Sequence, residues 1–163
     1  MKTIVEACKQ HRIQAEVTVV ISNNITAPGI EIAKSYGITT FALDMKTFAT
    51  KAEYEEDITR VLKGHGVDLV CLAGYMRLLG KEFIRNFQDK VINIHPSLLP
   101  AFKGLNAQKQ ALEYGVKYTG CTVHFVDESL DGGQIIMQEV VDVLATDTEE
   151  SLTNRILVKE HQL

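Results

Sequence analysis

LVCLAGYMRLLGKEFIRNFQDKVINIH, residues 69–95, contains two short apolar runs separated by a more polar segment. The apolar runs, 69–73 and 91–95, have the length and composition of buried strands. Residues 81–87 between them favour a helix. A strand, a helix and a second strand in this order are typical of two parallel strands joined by a crossover. The stretch therefore indicates an α/β fold.

The same alternation continues on both sides of this unit. After a helix near residues 107–114, extended runs at 121–126 and 135–143 enclose a turn-rich segment and predict an antiparallel hairpin. Thr146 and Glu149 have the spacing of a capping box and predict the start of a last helix. Further strands are predicted at 17–21 and 39–43, and further helices at 28–36 and 51–63. We therefore expect a doubly wound, mostly parallel α/β sheet with an antiparallel C-terminal hairpin, in a single domain spanning residues 1–163.

The first residues differ from the usual start of such a fold. A doubly wound nucleotide-binding domain opens with a strand and a glycine-rich turn, whereas residues 1–10 have a helical pattern. We therefore expect the first strand to be missing. Because that strand normally lies inside the sheet, its loss would leave backbone hydrogen-bonding groups of its neighbours exposed.

Composition excludes several classes of protein. The net charge is −4 without a block of lysine or arginine, which argues against a nucleic-acid partner. The apolar stretch near residues 69–76 is too short to span a membrane. Cys8, Cys71 and Cys121 are widely spaced and form no CxxC motif, so we expect buried thiols in a reducing compartment. These features predict a cytoplasmic protein.

Three polar residues are candidates for chemistry. In parallel sheets ligands bind beyond the carboxyl ends of the strands, and the run 91–95 ends in Asn93 and His95. Strand alternation places these two side chains on one side. Asp131 begins an Asp-Gly-Gly turn and is the expected partner that orients His95 and favours its charged form. A histidine beside a carboxylate is suited to general acid or base catalysis near neutral pH.

Less specific interpretations of these residues stay open. His95 could be a hydrogen-bonded packing residue, and the Asp-Gly-Gly sequence could be only a turn. His95, His124 and Asp131 could also form a metal site with two histidines and one carboxylate. No compact ligand motif accompanies them. We therefore expect no metal, and we expect His124 to pack within its strand.

The segments around these residues resemble a known family. Residues 93–104, NIHPSLLPAFKG, with 120–126, GCTVHFV, and 130–133, LDGG, are similar to the folate-dependent phosphoribosylglycinamide formyltransferases. The resemblance extends over nearly the whole chain and includes 73–79, AGYMRLL. The Asn-x-His-x-Ser-Leu-Leu-Pro core is specific for the superfamily of formyl-folate hydrolases and transferases.

The resemblance implies a reaction and roles for individual residues. A formyl group would pass from 10-formyltetrahydrofolate, the co-substrate, to the amine of glycinamide ribonucleotide by direct attack, with catalysis by Asn93, His95 and Asp131. Glu160 and Pro96 would contact the nucleotide substrate, although a solvated helix carboxylate remains an alternative for Glu160. The residues expected to hold the folate, which otherwise would be strand-end core, are Met76, Arg77, Leu78, Leu79, Val126, Asp127 and Glu128.

The sequence also departs from the family pattern. The glycine/serine-rich loop that binds the substrate phosphate would precede Met1, and the family's final segment would follow Leu163, so we expect a catalytic domain truncated at both ends. Asn106 stands where relatives often carry histidine. Alternative functions are a formyltetrahydrofolate deformylase, which is a hydrolase, and an inactive folate-binding remnant. A methionyl-tRNA formyltransferase is less consistent with the charge. We expect small-molecule partners only, and a monomer or homodimer.

Overall fold

The computed structural model describes all residues from Met1 to Leu163, which form two compact units, Met1–Asp68 and Leu69–Leu163. The helices are α1 (Lys2–Lys9), α2 (Pro28–Ser35), α3 (Lys51–Gly64), α4 (Lys81–Asn86), α5 (Ala107–Tyr114) and α6 (Glu149–Glu160). The strands are β1 (Val19–Ser22), β2 (Thr39–Ala42), β3 (Val70–Leu72), β4 (Val91–His95), β5 (Tyr118–Phe125) and β6 (Ile135–Asp142). None of the helices has the length and apolar character needed to cross a membrane.

The first unit is built on a parallel strand pair. β1 and β2 pair in register from Val19 opposite Thr39, and α2 connects them. Ile30 and Ala33 are the buried residues of α2, which packs on both strands. α1 is the first element of the chain, as the sequence predicts, and a 3₁₀ turn at Met45–Thr47 was not predicted.

The second unit carries the candidate site. Its four strands lie in the order β3-β4-β5-β6, with β3 and β4 parallel and the other two pairings antiparallel. α6 packs on β5 and β6 over a buried cluster formed by Cys121, Val141, Leu152 and Ile156. The predicted α/β architecture with an antiparallel C-terminal hairpin is confirmed, with its parallel pairings distributed over two separate sheets.

Burial of the strands and thiols is lower than the sequence predicts. All four residues of β1 are half-buried, and Leu69 beside β3 is 48% exposed. The expectation of fully buried strands is wrong because β1 lies in a two-stranded sheet and β3 is an edge strand. For the same reason Cys71 in β3 is exposed. Cys8 is half-buried, and only Cys121 is buried as predicted.

The start of α6 also differs from the prediction. The capping box is formed by Thr148 and Ser151, not by Thr146 and Glu149. Asp147 explains the shift, because its carboxylate accepts the Leu144 N–H at 2.8 Å and closes a turn before the helix. The first residue with a free side chain acceptor after that turn is Thr148, whose hydroxyl accepts the Ser151 N–H.

Candidate active site at the end of strand β4

Strand β4 positions the first two candidate residues. It lies inside the sheet, paired with β3 on one side and β5 on the other, so its backbone is held along both edges. Asn93 lies opposite His124 and His95 opposite Thr122 of β5. His95 is only 5% exposed, and Asn93 is half-buried. Both side chains are therefore held by a rigid element, which favours a fixed geometry.

His95 lies between two hydrogen-bond acceptors. Its Nδ1 is 3.5 Å from Oδ2 of Asp131, and its Nε2 is 2.9 Å from the carbonyl oxygen of Phe102. A neutral imidazole donates from only one nitrogen, whereas the imidazolium donates from both. Each ring nitrogen of His95 therefore faces an oxygen acceptor.

Asp131 is held in a strained turn. Its φ is 44°, in the left-handed region that is uncommon for residues other than glycine. The Gly104 N–H donates to its Oδ2 at 2.8 Å, and its side chain is 13% exposed. A Cβ on Gly133 would lie 1.9 Å from the Phe125 carbonyl oxygen, so only glycine fits there. Such strain is found mostly where the surrounding structure and a function maintain it.

His124 contacts Asn93 and lies near Asp131. Its Nδ1 is 2.8 Å from the Phe125 carbonyl oxygen, which requires a proton on Nδ1 and leaves Nε2 as an acceptor in the neutral ring. The Asn93 amide Nδ2 is 3.3 Å from that Nε2, and Asp131 Oδ1 is 3.9 Å from it. His124 thus orients the Asn93 amide. The sequence favoured a packing role over a metal-ligand role for His124, and the signal that was missed is its position opposite Asn93 across the β4–β5 ladder.

No group of three or more His, Cys, Asp or Glu side chains is arranged to hold a metal ion. Asp131 approaches His95 with one oxygen and His124 with the other. The two histidines therefore do not converge on one point with that carboxylate. Each histidine is also held by a hydrogen bond to a main-chain carbonyl oxygen, that of Phe102 for His95 and that of Phe125 for His124.

The predicted folate-binding residues lie in two loops of the same unit. Residues 76–79 lie between β3 and α4, and residues 126–128 follow β5. Met76 and Leu78 are 74% and 56% exposed, so the alternative that they are strand-end core is wrong. Glu128 pairs with Lys81 at 3.1 Å, and the pKa of Asp127 is lowered, mainly by a hydrogen bond from the Ser129 hydroxyl.

Glu160 and Pro96 are the predicted contacts to the nucleotide. Glu160 is in the last turn of α6 and is half-buried, which excludes a fully solvated carboxylate. Burial raises the pKa of Glu160, while positive charge at His161 and His95 partly offsets that increase. The carboxylate is thus close enough to His95 to interact with it electrostatically. Pro96 follows His95 directly and is half-buried.

Comparison with known proteins gives consistent results along the whole chain. The family model described as formyl transferase matches residues 1–163. The phosphoribosylglycinamide formyltransferase of Escherichia coli is 39% identical over 163 residues, which is 100% of this chain and 77% of that protein. The crystal structure of glycinamide ribonucleotide transformylase 1 from Symbiobacterium toebii superposes with a TM-score of 0.98 at 46% identity, covering 99% of this chain and 76% of that one.

The match also extends to a much larger protein. The human trifunctional purine biosynthetic protein adenosine-3 is 42% identical over 163 residues, and this chain spans 16% of its length. Relatives of very different length therefore share one region that corresponds to the whole of this chain. The chain belongs to the formyl transferase family and, within it, to the phosphoribosylglycinamide formyltransferases.

Proposed function

We propose that this protein transfers a formyl group from 10-formyltetrahydrofolate to the primary amine of glycinamide ribonucleotide, as a step of purine biosynthesis. The observation that carries the proposal is the placement of His95 between two acceptors, Asp131 and the Phe102 carbonyl, on the strand that also carries Asn93. This arrangement provides a charged donor and an amide donor side by side. Family membership supports the same reaction.

The chemistry follows from where charge develops. The amine nitrogen attacks the formyl carbon, and the carbonyl electron pair moves to the oxygen to give a tetrahedral centre bearing an oxyanion. The Asn93 amide and the His95 imidazolium stabilise that oxyanion, and removal of one such donor typically costs roughly 3 kcal/mol. When the centre collapses, the carbon–nitrogen bond to the folate breaks and the amine proton is transferred to the leaving nitrogen, with Asp131 assisting through water.

Asp131 has two functions in this proposal. Its carboxylate, 3.5 Å from Nδ1 of His95, stabilises positive charge on the ring while the oxyanion forms. Its contact with the same nitrogen also fixes the ring orientation, so that Nε2 faces the loop side of the site. When substrate binds, the formyl oxygen competes with the Phe102 carbonyl for the Nε2 proton.

The binding roles are also part of the proposal. Met76, Leu78 and Leu79 would cover the faces of the folate ring, while Arg77, Val126, Asp127 and Glu128 would provide polar and backbone contacts. The exposure of Met76 and Leu78 supports this, because large apolar side chains at the surface mark ligand sites. Glu160 and Pro96 would contact the nucleotide, and the raised pKa of Glu160 suits a carboxyl that meets an amine.

The experiment is an absorbance assay with 10-formyltetrahydrofolate, run with and without glycinamide ribonucleotide. Turnover that requires the amine supports the transferase. Turnover without the amine would instead indicate the deformylase, and tight folate binding without turnover would indicate the inactive remnant. Asn93→Asp and His95→Asn should each lose most of the turnover while retaining folate binding.

The proposal includes three broader statements. The match of one family model to residues 1–163 supports treating both compact units as parts of a single catalytic domain. The purine-biosynthesis names of the relatives support a cytoplasmic enzyme that acts on small molecules. We also propose that it works as a monomer or homodimer.

A further inference from the structure

The loop of residues 96–105 supplies two of the main-chain contacts in the site. Its Phe102 carbonyl accepts from His95, and its Gly104 N–H donates to Asp131. Both residues have a positive φ, 53° for Phe102 and 79° for Gly104. A positive φ is unfavourable for Phe102, although not for glycine, so this part of the loop needs contacts elsewhere to keep its conformation.

One side of that loop is anchored to strand β5 through Thr122. The Thr122 hydroxyl donates to the Ser97 carbonyl at 2.7 Å and accepts the Leu99 N–H at 3.0 Å. Thr122 is completely buried. A hydroxyl has one donor and two acceptor positions, so one acceptor position remains for a further partner.

Gln138 of β6 takes that position. Its Nε2 donates to the Thr122 hydroxyl at 2.9 Å and to the Leu99 carbonyl at 3.0 Å. The amide thereby uses both of its N–H groups, and the hydroxyl of Thr122 becomes fully paired. Gln138 is also the direct ladder partner of Thr122, so its side chain starts from a fixed position on β6.

We infer that Gln138 is a positioning residue for formyl transfer, an inference that rests on the proposed function. By holding Leu99 and Thr122, its amide fixes the start of the 96–105 loop. The loop in turn holds the Phe102 carbonyl against His95 and the Gly104 N–H against Asp131. Gln138 touches neither His95 nor Asp131 and acts on them only through the loop.

The test compares Gln138→Met, which keeps a similar volume but removes both donors, with Val140→Ala as the matched control. Val140 is two residues along the same strand and 55% exposed, and it has no role in the site. For Gln138→Met we expect kcat per folded molecule to fall on the order of 10- to 100-fold, because displacement of catalytic groups by about 1 Å has an effect of this size. KM for both substrates should change little, and Val140→Ala should match the wild type.

A readout independent of activity is amide hydrogen exchange at Gly104. Gln138 does not contact Gly104, so faster exchange there in Gln138→Met would report movement of the whole loop. Unchanged exchange at Gly104, or unchanged kcat, overturns the inference. If the wild type transfers no formyl group but exchange at Gly104 responds, the proposed function fails while the role of Gln138 in holding the loop stands.

Gln138→Glu separates hydrogen-bond donation from simple packing. A carboxylate cannot donate to the Leu99 carbonyl, whereas the protonated acid donates once. The ratio of kcat for Gln138→Glu to kcat for Gln138→Met should therefore rise as the pH falls toward the range where glutamate protonates. A ratio that is independent of pH contradicts a donor role for Gln138.

Discussion

Replacing Asp131 by asparagine tests the electrostatic core of the proposed mechanism. The carboxamide has nearly the same shape, and its oxygen can still accept the Gly104 N–H that binds Oδ2 at 2.8 Å. Asparagine also tolerates the left-handed φ of 44° at this position. The substitution therefore removes the negative charge beside His95 and leaves the turn intact.

The size of the effect follows from the distance between the charges. A positive charge on the His95 ring would lie 3.5 Å from Oδ2 of Asp131, and two unit charges at that distance interact by roughly 5 kcal/mol at an effective dielectric constant of about 20. A factor of ten in rate corresponds to about 1.4 kcal/mol. Because the carboxamide retains part of the interaction as a hydrogen bond, we expect kcat to fall on the order of 10³-fold.

The assay is the amine-dependent absorbance change of 10-formyltetrahydrofolate at saturating concentrations of both substrates, repeated across pH 6 to 9. Asp89→Asn is the control, because Asp89 is exposed and has a φ of 56°, which asparagine accepts equally well. It should behave as the wild type. A change of less than about threefold in kcat for Asp131→Asn would refute the idea that this carboxylate charges and orients His95.

Two further substitutions test the surroundings of the site. Gly133→Ala places a Cβ 1.9 Å from the Phe125 carbonyl oxygen and should lower the free energy of unfolding, measured by urea denaturation, by about 1–3 kcal/mol. The control is Gly29→Ala, whose Cβ meets nothing within 4 Å and which should stabilise the protein slightly. Equal stability of the two variants would contradict the close approach at Gly133. Glu160→Gln should raise the thermal stability at pH 7. Because burial raises the pKa of Glu160 in the folded state, the wild type loses stability as the pH rises above the usual glutamate range. The difference between variant and wild type should vanish at pH values below that range. A wild type that is more stable than Glu160→Gln at pH 7 would contradict this sign.

Much of the architecture could be predicted because local signals and tertiary contacts agree. The helix predicted near residues 107–114 is α5 at Ala107–Tyr114, and the antiparallel pair β5–β6 follows from its two extended runs. Strand burial was overestimated, because an apolar run does not reveal whether a strand lies inside a sheet or at its edge. The capping residue of α6 was displaced by two positions for a similar reason, since the turn made by Asp147 depends on contacts outside the helix.

The candidate site was predictable only in part. Strand alternation places Asn93 and His95 on one side, and the turn glycines point to Asp131. The contact of His124 with Asn93 was not predicted, because it depends on the β4–β5 register. The role of Gln138 was invisible in the sequence, since it requires β6, β5 and the 96–105 loop to meet at one point.

Two of the three polar neighbours around the His95 and Asp131 pair are main-chain atoms, the oxygen of Phe102 and the nitrogen of Gly104. Truncating the Phe102 side chain leaves its carbonyl oxygen in the chain, whereas any side chain at position 104 must adopt a φ of 79° that favours glycine. Their contribution lies in the path of the backbone. Insertions, deletions or a proline at these positions would reveal it, and comparison of side chains among relatives would overlook it.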